Sequence, residues 1–538
     1  MSYTDRAKSI RARLSCFQKR SVLKHILNYL HQPEENGLDA ARKMPYIAHL
    51  LIEWLYQVEE FEWAREASKE DVGCILDKIF HLQSIAAPFR DHVHYELILR
   101  KMLSAQHWPQ QSRVVRLYRL TRLHALTTSE EEEEGSTWFE EQFEKVNKLT
   151  LEEFYVLSLW LMIKFDENNY AIPYQRIIIE LTPFFDIEKV SKFFKLISVN
   201  LKQLEAYLYP LSEQSVSIDA YFAPTALIKK PVFMLSDYIT TPHHSLLTKA
   251  ISEFVLMDFK ARDSQRFKDK FTPIFEKYVG TVLDESGSTF IPEDVLNDLY
   301  KKYNQQGNKV VDYLIKEEDA VIFIDAKGIE PHPKVQVSDN SRILKDKLSS
   351  SFTHGVQQAF GCASTLKEIG EIEIPKKERC YALVVTHLEF YISNGKRLND
   401  LVDPTLHEKL MEKYGDHIPI ENIYFTAIDE FEGIMKICRD SECNLSAFLE
   451  FCVQADKNGA TGKFDMRQHI IEFVKENALV KRGSIGTAYI KKKQEHLFKK
   501  LGEVVGRSES YWRYKGLAGM QEYSQKQHLL LKYLEVIE

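Results

Sequence analysis

The first 210 positions read as helix. Apolar residues in 40–63 recur as Ile47, Leu50, Leu51, Trp54, Leu55 and Val58, the spacing of one helical face. Segments 114–126, 151–163 and 187–208 carry similar stripes. Two-residue alternation is nearly absent, and no fixed-period repeat suggests a solenoid. The pattern breaks at 209–226, where Pro210, Ser212, Ser215, Ser217 and Pro224 interrupt the stripe and predict a domain boundary. A short apolar run at 232–235 and a helix over 246–259 follow. Segment 266–285 then offers Phe267, Phe271, Ile274, Phe275, Tyr278, Val279 and Val282 on one helical face. Thr272 before Pro273 offers an alternative, the cap of a fresh helix.

The period changes at 310–328. Two runs rich in Val, Ile, Phe and Tyr, 310–315 and 320–326, flank the charged turn 316–319 and predict a β-hairpin. Pro331 and Pro333 make 328–341 a loop. A helix is expected over 351–366, a buried strand over 379–386, and another strand with a helix start over 420–431. A flexible stretch is expected at 458–462, then a helix over 467–477 before Gly483, a weak helix-turn-helix pattern.

Candidate chemistry sits on the hairpin. Asp312 lies near the start of its first run, and Asp325 and Lys327 close the second. Residues i and i+2 of a strand share a face, so Asp325 and Lys327 point the same way and the hairpin brings Asp312 towards them. Buried charges need partners or a metal, and hard divalent cations take carboxylate oxygens. The bland alternative is an edge charge plus a surface ion pair worth little.

Asp312 followed by Asp325-Ala326-Lys327 across a hairpin resembles the PD-(D/E)XK nuclease superfamily, with Val311 where a proline is common. The order of helix, hairpin, helix and strand over about 225–395 is similar too. The resemblance implies an α/β restriction-endonuclease-like core with a mixed sheet. It implies Mg²⁺ or Mn²⁺ held by Asp312, Asp325, the Ala326 carbonyl and Glu276, with Lys327 positioning the attacking water. Glu276 matches a glutamate of the preceding helix, although a solvent-facing role is equally compatible with its position. Gln357 or Gln358 matches a polar residue on the following helix; the sequence does not choose between them. DNA is the expected substrate by superfamily habit, with RNA as the other choice. Such domains attached to helical regions recur in bacterial restriction and phage-defence proteins.

Composition refines this picture. The chain has 538 residues, 44% apolar and 28% charged, with formal net charge -7, which excludes a uniformly basic nucleic-acid coat but not a local channel. No apolar run is long enough to span a bilayer, and the N-terminus lacks the apolar core of a signal peptide. Seven scattered cysteines without a Cys-x-x-Cys pair fit reduced thiols in a cytoplasm. From 456 to 538, 16 Lys and Arg face 10 Asp and Glu. Lys481, Arg482, Lys491, Lys492, Lys493, Lys499 and Lys500 cluster there, with Tyr489, Tyr511, Trp512 and Tyr514 between them. Phosphate contacts plus stacking aromatics suit nucleic acid; a solvated amphipathic helix is the alternative. No Walker loop is present, so any motor belongs to a partner subunit; a homo-oligomer is also compatible.

The expected organisation is therefore multidomain: an all-α accessory or recognition domain over 1–210, a nuclease-like domain over 225–455, and a mainly helical basic segment over 456–538. The expected activity is metal-dependent hydrolysis of nucleic acid. Two alternatives stand beside it: a catalytically silent scaffold that binds nucleic acid or a partner protein, and a helical interaction protein whose hairpin is coincidental.

Overall fold

The structure, a computed structural model, describes residues 2–33, 43–88, 94–106, 113–129, 135–167, 170–329, 332–458, 461–477 and 486–536. Lys481, Arg482 and Pro331 lie outside the described residues. Contacts divide the chain into two compact units. One comprises Met1–Pro88, Ala105–Arg262 and Tyr489–Glu538; the other comprises Phe89–Ser104 and Asp263–Ala488.

The first unit is mostly helical, as the stripes predict, with helices that include Pro45–Leu55, Arg113–Thr127, Leu151–Glu167 and His244–Arg262. Every side chain of Pro45–Leu55 is buried, so this helix sits in the core. The all-α expectation is corrected in one respect. Four strands of three residues each, β1 (Ala171–Pro173), β2 (Ser198–Asn200), β3 (Val232–Met234) and β4 (Tyr238–Thr240), form a sheet in the order β1-β4-β3-β2. Only β2 and β3 run parallel. Three residues are too few to show alternation, which explains why the pattern misses them. β2 also splits the stripe expected over 187–208 into helices Ile187–Ile197 and Leu201–Leu208. Asn200 starts the second of these with a capping box to Gln203.

The proline- and serine-rich stretch at 209–226 lies inside this unit as 3₁₀ turns. The Trp54 indole donates to the Ser215 carbonyl at 3.1 Å and Arg11 donates to the Ser212 carbonyl at 2.8 Å. The turn chemistry is real, and these two carbonyls are satisfied by side chains of the same unit.

The second unit carries a mixed sheet in the order β5-β6-β7-β8-β9: β5 (Phe290–Pro292), β6 (Tyr313–Lys316), β7 (Val321–Lys327), β8 (Cys380–Thr386) and β9 (Ile423–Ala427). β5, β6 and β7 pair antiparallel, while β7, β8 and β9 pair parallel. β8 and β9 are buried throughout, as expected of continuous apolar runs covered on both faces. Four helices matter below: α1 (Ser264–Ser286), α2 (Glu293–Lys302), α3 (His354–Ile369) and α4 (Ile428–Ser441).

α1 runs through Pro273, which is exposed, and is capped by Asp263 accepting from the Arg266 amide. The alternative start at Thr272 is thus not used. Its face of Phe267, Phe271, Phe275, Tyr278, Val279, Val282 and Leu283 is buried. α3 follows a π-helical turn, Ser349–Thr353. The segment expected as a loop at 328–341 contains a short helix, Pro333–Val337, started by proline at its first position. No described helix is long and apolar enough to cross a membrane, and all seven cysteines are free.

Candidate active site

The hairpin pairs from Tyr313↔Ile324 to Lys316↔Val321. Asp312 therefore stands just before the ladder, and Asp325 to Lys327 run past its end while still paired with β8. The free edge is used at once: the Ala326 amide donates to Asp312 Oδ2 at 2.6 Å. Asp325 is 1% exposed. Its Oδ1 accepts from Lys327 Nζ at 2.9 Å; its Oδ2 lies 2.7 Å from the same nitrogen but makes no hydrogen bond. Lys327 Nζ also donates to Gln358 Oε1 at 2.9 Å, and Gln358 Nε2 donates to the Val310 carbonyl at 2.9 Å. Gln358 thus locks the lysine to the first strand's approach. Gln357 shares none of these bonds.

Two helices close on this strand end, each through a glycine. On α3, a Cβ at Gly355 would stand 2.7 Å from Asp325 Oδ2 and 2.9 Å from a Val384 methyl. On α1, a Cβ at Gly280 would stand 2.5 Å from the Tyr313 hydroxyl, which donates to the Glu276 carbonyl at 2.8 Å. Tyr313 therefore fixes the turn of α1 that carries Glu276. The Glu276 carboxyl is pushed up to about 7, by partial burial first and by the charge of Asp312 next, with Lys327 opposing. Burial also raises Asp312 and Asp325; Lys327 opposes in both, and the Ala326 amide opposes in Asp312. The cluster holds more negative charge than Lys327 compensates, a setting that favours protons or a cation.

Sequence reasoning missed three groups at this site. Glu293, the first residue of α2, donates its amide to the Asp312 carbonyl at 2.9 Å. Its carboxylate adds to the field that raises Asp312, Asp325 and Glu276. The only signal was an acid after Pro292 in a helix's first turn, which ordinary dipole compensation also explains. His354 and Lys309 form a contact of 2.9 Å between Nε2 and Nζ. His354 and Gln358 are four apart and share a face of α3, a pairing legible only once the helix was aimed at the hairpin.

The C-terminal basic cluster is distributed. It rides on the helix Ala488–Trp512. Lys491, Lys492 and Lys499 are exposed. Lys493 instead donates to the Ser129 carbonyl, and Lys500 Nζ lies 3.9 Å from a Glu152 oxygen. Tyr489 donates to the Ala125 carbonyl at 2.8 Å and Trp512 to the Ile179 carbonyl at 2.9 Å. These two aromatics anchor the helix to its own unit, and Tyr514 is the one among the four that stands 85% exposed.

Among the described residues, no group of three or more His, Cys, Asp or Glu converges closely enough to hold a metal by itself. A cavity of about 670 Å³ in the same unit, lined by residues that include Arg397, Asn422, Asp456 and Phe464, shares no residue with the carboxylate cluster. Comparison of the chain with protein-family models, with curated proteins and with solved structures finds no match.

Proposed function

We propose that the second unit is a metal-dependent nuclease that hydrolyses phosphodiester bonds of nucleic acid, with DNA as the expected substrate. One observation carries this reading. Asp312, Asp325 and Lys327 gather at the end of the β6–β7 hairpin, with Glu276 within their electrostatic reach and Gln358 holding the lysine.

The residues fit a hard cation. Asp325 Oδ2 is buried, faces the space that a Cβ at position 355 would fill, and is ion-paired with Lys327 Nζ at 2.7 Å, so a cation would share this oxygen with the ammonium. Mg²⁺ commonly takes one or two protein carboxylates and completes its shell with water and substrate phosphate, so two aspartates suffice. Asp312, Asp325 and the Ala326 carbonyl would hold the ion, with Glu276 at its margin. Bound Mg²⁺ or Mn²⁺ supplies the positive charge that acidifies water and polarises a phosphoryl oxygen. Lys327 orients the attacking water and offsets the charge that develops on phosphorus-bound oxygens. Gln358 keeps the Lys327 ammonium in place through its two hydrogen bonds.

The test separates ion binding from chemistry. Asp312→Asn and Asp325→Asn are expected to weaken Mn²⁺ binding in calorimetry and abolish cleavage of plasmid, linear and single-stranded DNA and of RNA. Lys327→Met is expected to keep or slightly raise Mn²⁺ affinity and still lose cleavage by on the order of 100-fold, about 3 kcal/mol. A folded Lys327→Met protein that cuts at the wild-type rate ends this assignment. A silent nucleic-acid-binding scaffold is the second reading, favoured by the contact of Lys327 with both Asp325 oxygens. It predicts that the wild-type protein cuts none of these substrates with either ion.

A further inference from the structure

Beside the carboxylates stands a cationic pair that the proposed chemistry leaves unused. Lys309 Nζ lies 2.9 Å from His354 Nε2. An ammonium donates only, so the imidazole accepts at Nε2 and carries its proton on Nδ1. Burial lowers the affinity of His354 for a second proton, and the charges of Lys309 and Lys327 lower it further, while a side-chain interaction with Gln358 opposes them. Lys309 makes no ion pair with a carboxylate among the described residues. Two of its three N–H groups remain available to a ligand.

The pair is built in place. The Tyr300 hydroxyl donates to the Lys309 carbonyl at 3.1 Å. A Cβ at Gly361 would stand 2.5 Å from the Lys309 Cβ and 3.0 Å from its Cγ. α3 therefore presses on the lysine stem through one glycine and on Asp325 through another, Gly355. Six residues apart on one helix, the two glycines set the acidic and the cationic sides of the site against the same rigid element. His354 and Gln358, four apart on that helix, hold one lysine each: His354 holds Lys309, and Gln358 holds Lys327.

We infer that Lys309 and His354 bind a backbone phosphate of the nucleic acid next to the one that is cleaved. The inference rests on the nuclease reading for the position of the cleaved bond. The chemistry follows from the donors: a fixed ammonium with two open N–H groups and a neutral imidazole match the oxygens of a phosphodiester monoanion. A preorganised stem loses little side-chain entropy when the ligand arrives. The role is positioning, since neither group is required to exchange a proton with the reacting atoms.

The experiment uses the full chain carrying Asp325→Asn and fluorescein-labelled DNA, duplex and single-stranded, with Ca²⁺ present. Fluorescence anisotropy is read from 50 to 250 mM NaCl. Lys309→Met is expected to weaken binding roughly tenfold and to reduce the slope of log Kd against log salt by about one. Lys309→Arg is expected to keep the slope, which controls for misfolding. His354→Gln is expected to weaken binding a few-fold at unchanged slope. Unchanged affinity and slope in Lys309→Met, in a chain whose wild-type form cuts DNA, overturns this inference and spares the nuclease reading. Lys309-dependent binding in a chain whose wild-type form never cuts does the reverse. A parent that binds neither DNA overturns this inference, and the cleavage assay on DNA and RNA then decides the nuclease reading separately.

Discussion

Gly355→Ala tests the site through geometry alone. The new methyl would stand 2.7 Å from Asp325 Oδ2 and 2.9 Å from a Val384 methyl. Neither neighbour is the end of a flexible side chain: Asp325 is pinned by Lys327, and Val384 is buried in β8. A shift of about 0.7 Å restores ordinary contact, and overpacking on this scale costs about 1–3 kcal/mol. Alanine in a helix regains about 1 kcal/mol over glycine, so the net loss is expected to be about 0–2 kcal/mol. Gly433→Ala supplies the matched control. It is also helical, on α4, and its Cβ would meet nothing closer than a methyl at 3.9 Å, so it is expected to stabilise by up to about 1 kcal/mol. The two variants should differ by about 2 kcal/mol, or roughly 4–8 °C in Tm for a unit of this size. Activity should diverge further, because displacing a reacting group by about 1 Å costs on the order of 100-fold. Differential scanning calorimetry and a cleavage assay on the same preparations read both. Equal melting temperatures and equal cleavage rates for the two variants would refute the packing of α3 on Asp325.

The remaining predictions concern charge. The Glu276 carboxyl rises from an ordinary 4.5 to about 7, so its contribution is fully present below about pH 4.5 and is lost as pH rises through 7. The rise amounts to roughly 3 kcal/mol, which solvent screening of a half-exposed group reduces to about 1 kcal/mol. Glu276→Gln should therefore gain about that much stability at pH 8 relative to pH 4.5, by urea denaturation; an unchanged pH dependence would show that the carboxyl does not feel the cluster. Reversing the charge of exposed Lys491 and Lys492 together should leave Tm unchanged and lower the log–log salt slope of DNA binding by up to about two. An unaltered slope returns that helix to a solvated face. Lys493→Glu should instead lower Tm, because Lys493 ties its helix to the Ser129 carbonyl.

Periodicity made much of this chain legible. Two apolar runs joined by a charged turn between helical stripes, with Asp325 and Lys327 at i and i+2, indicated β6 and β7 and the face those two side chains share, since composition marks the strands and strand geometry fixes the shared face. The helical stripes at 114–126, 151–163 and 246–259 likewise correspond to helices, each a residue or more longer than the stripe. Short strands escaped the sequence because β1 to β4 hold three residues each and owe their pairing to long-range partners. The turns at 209–226 were visible, but only the burial of Trp54 against Ser215 decided that they lie within a unit. At the site, the choice of Gln358 over Gln357, the approach of Glu293, and the Lys309–His354 contact all depend on how α2 and α3 sit on the sheet. For α3 that placement is set by close contacts at Gly355 and Gly361, where the absence of a side chain leaves no hydrophobic signal to read. Composition and spacing therefore determined which elements exist and which charges share a strand face. Tertiary packing decided which groups meet, because closeness between helix and sheet is fixed by side-chain volume across the interface rather than by the order of residues along either element.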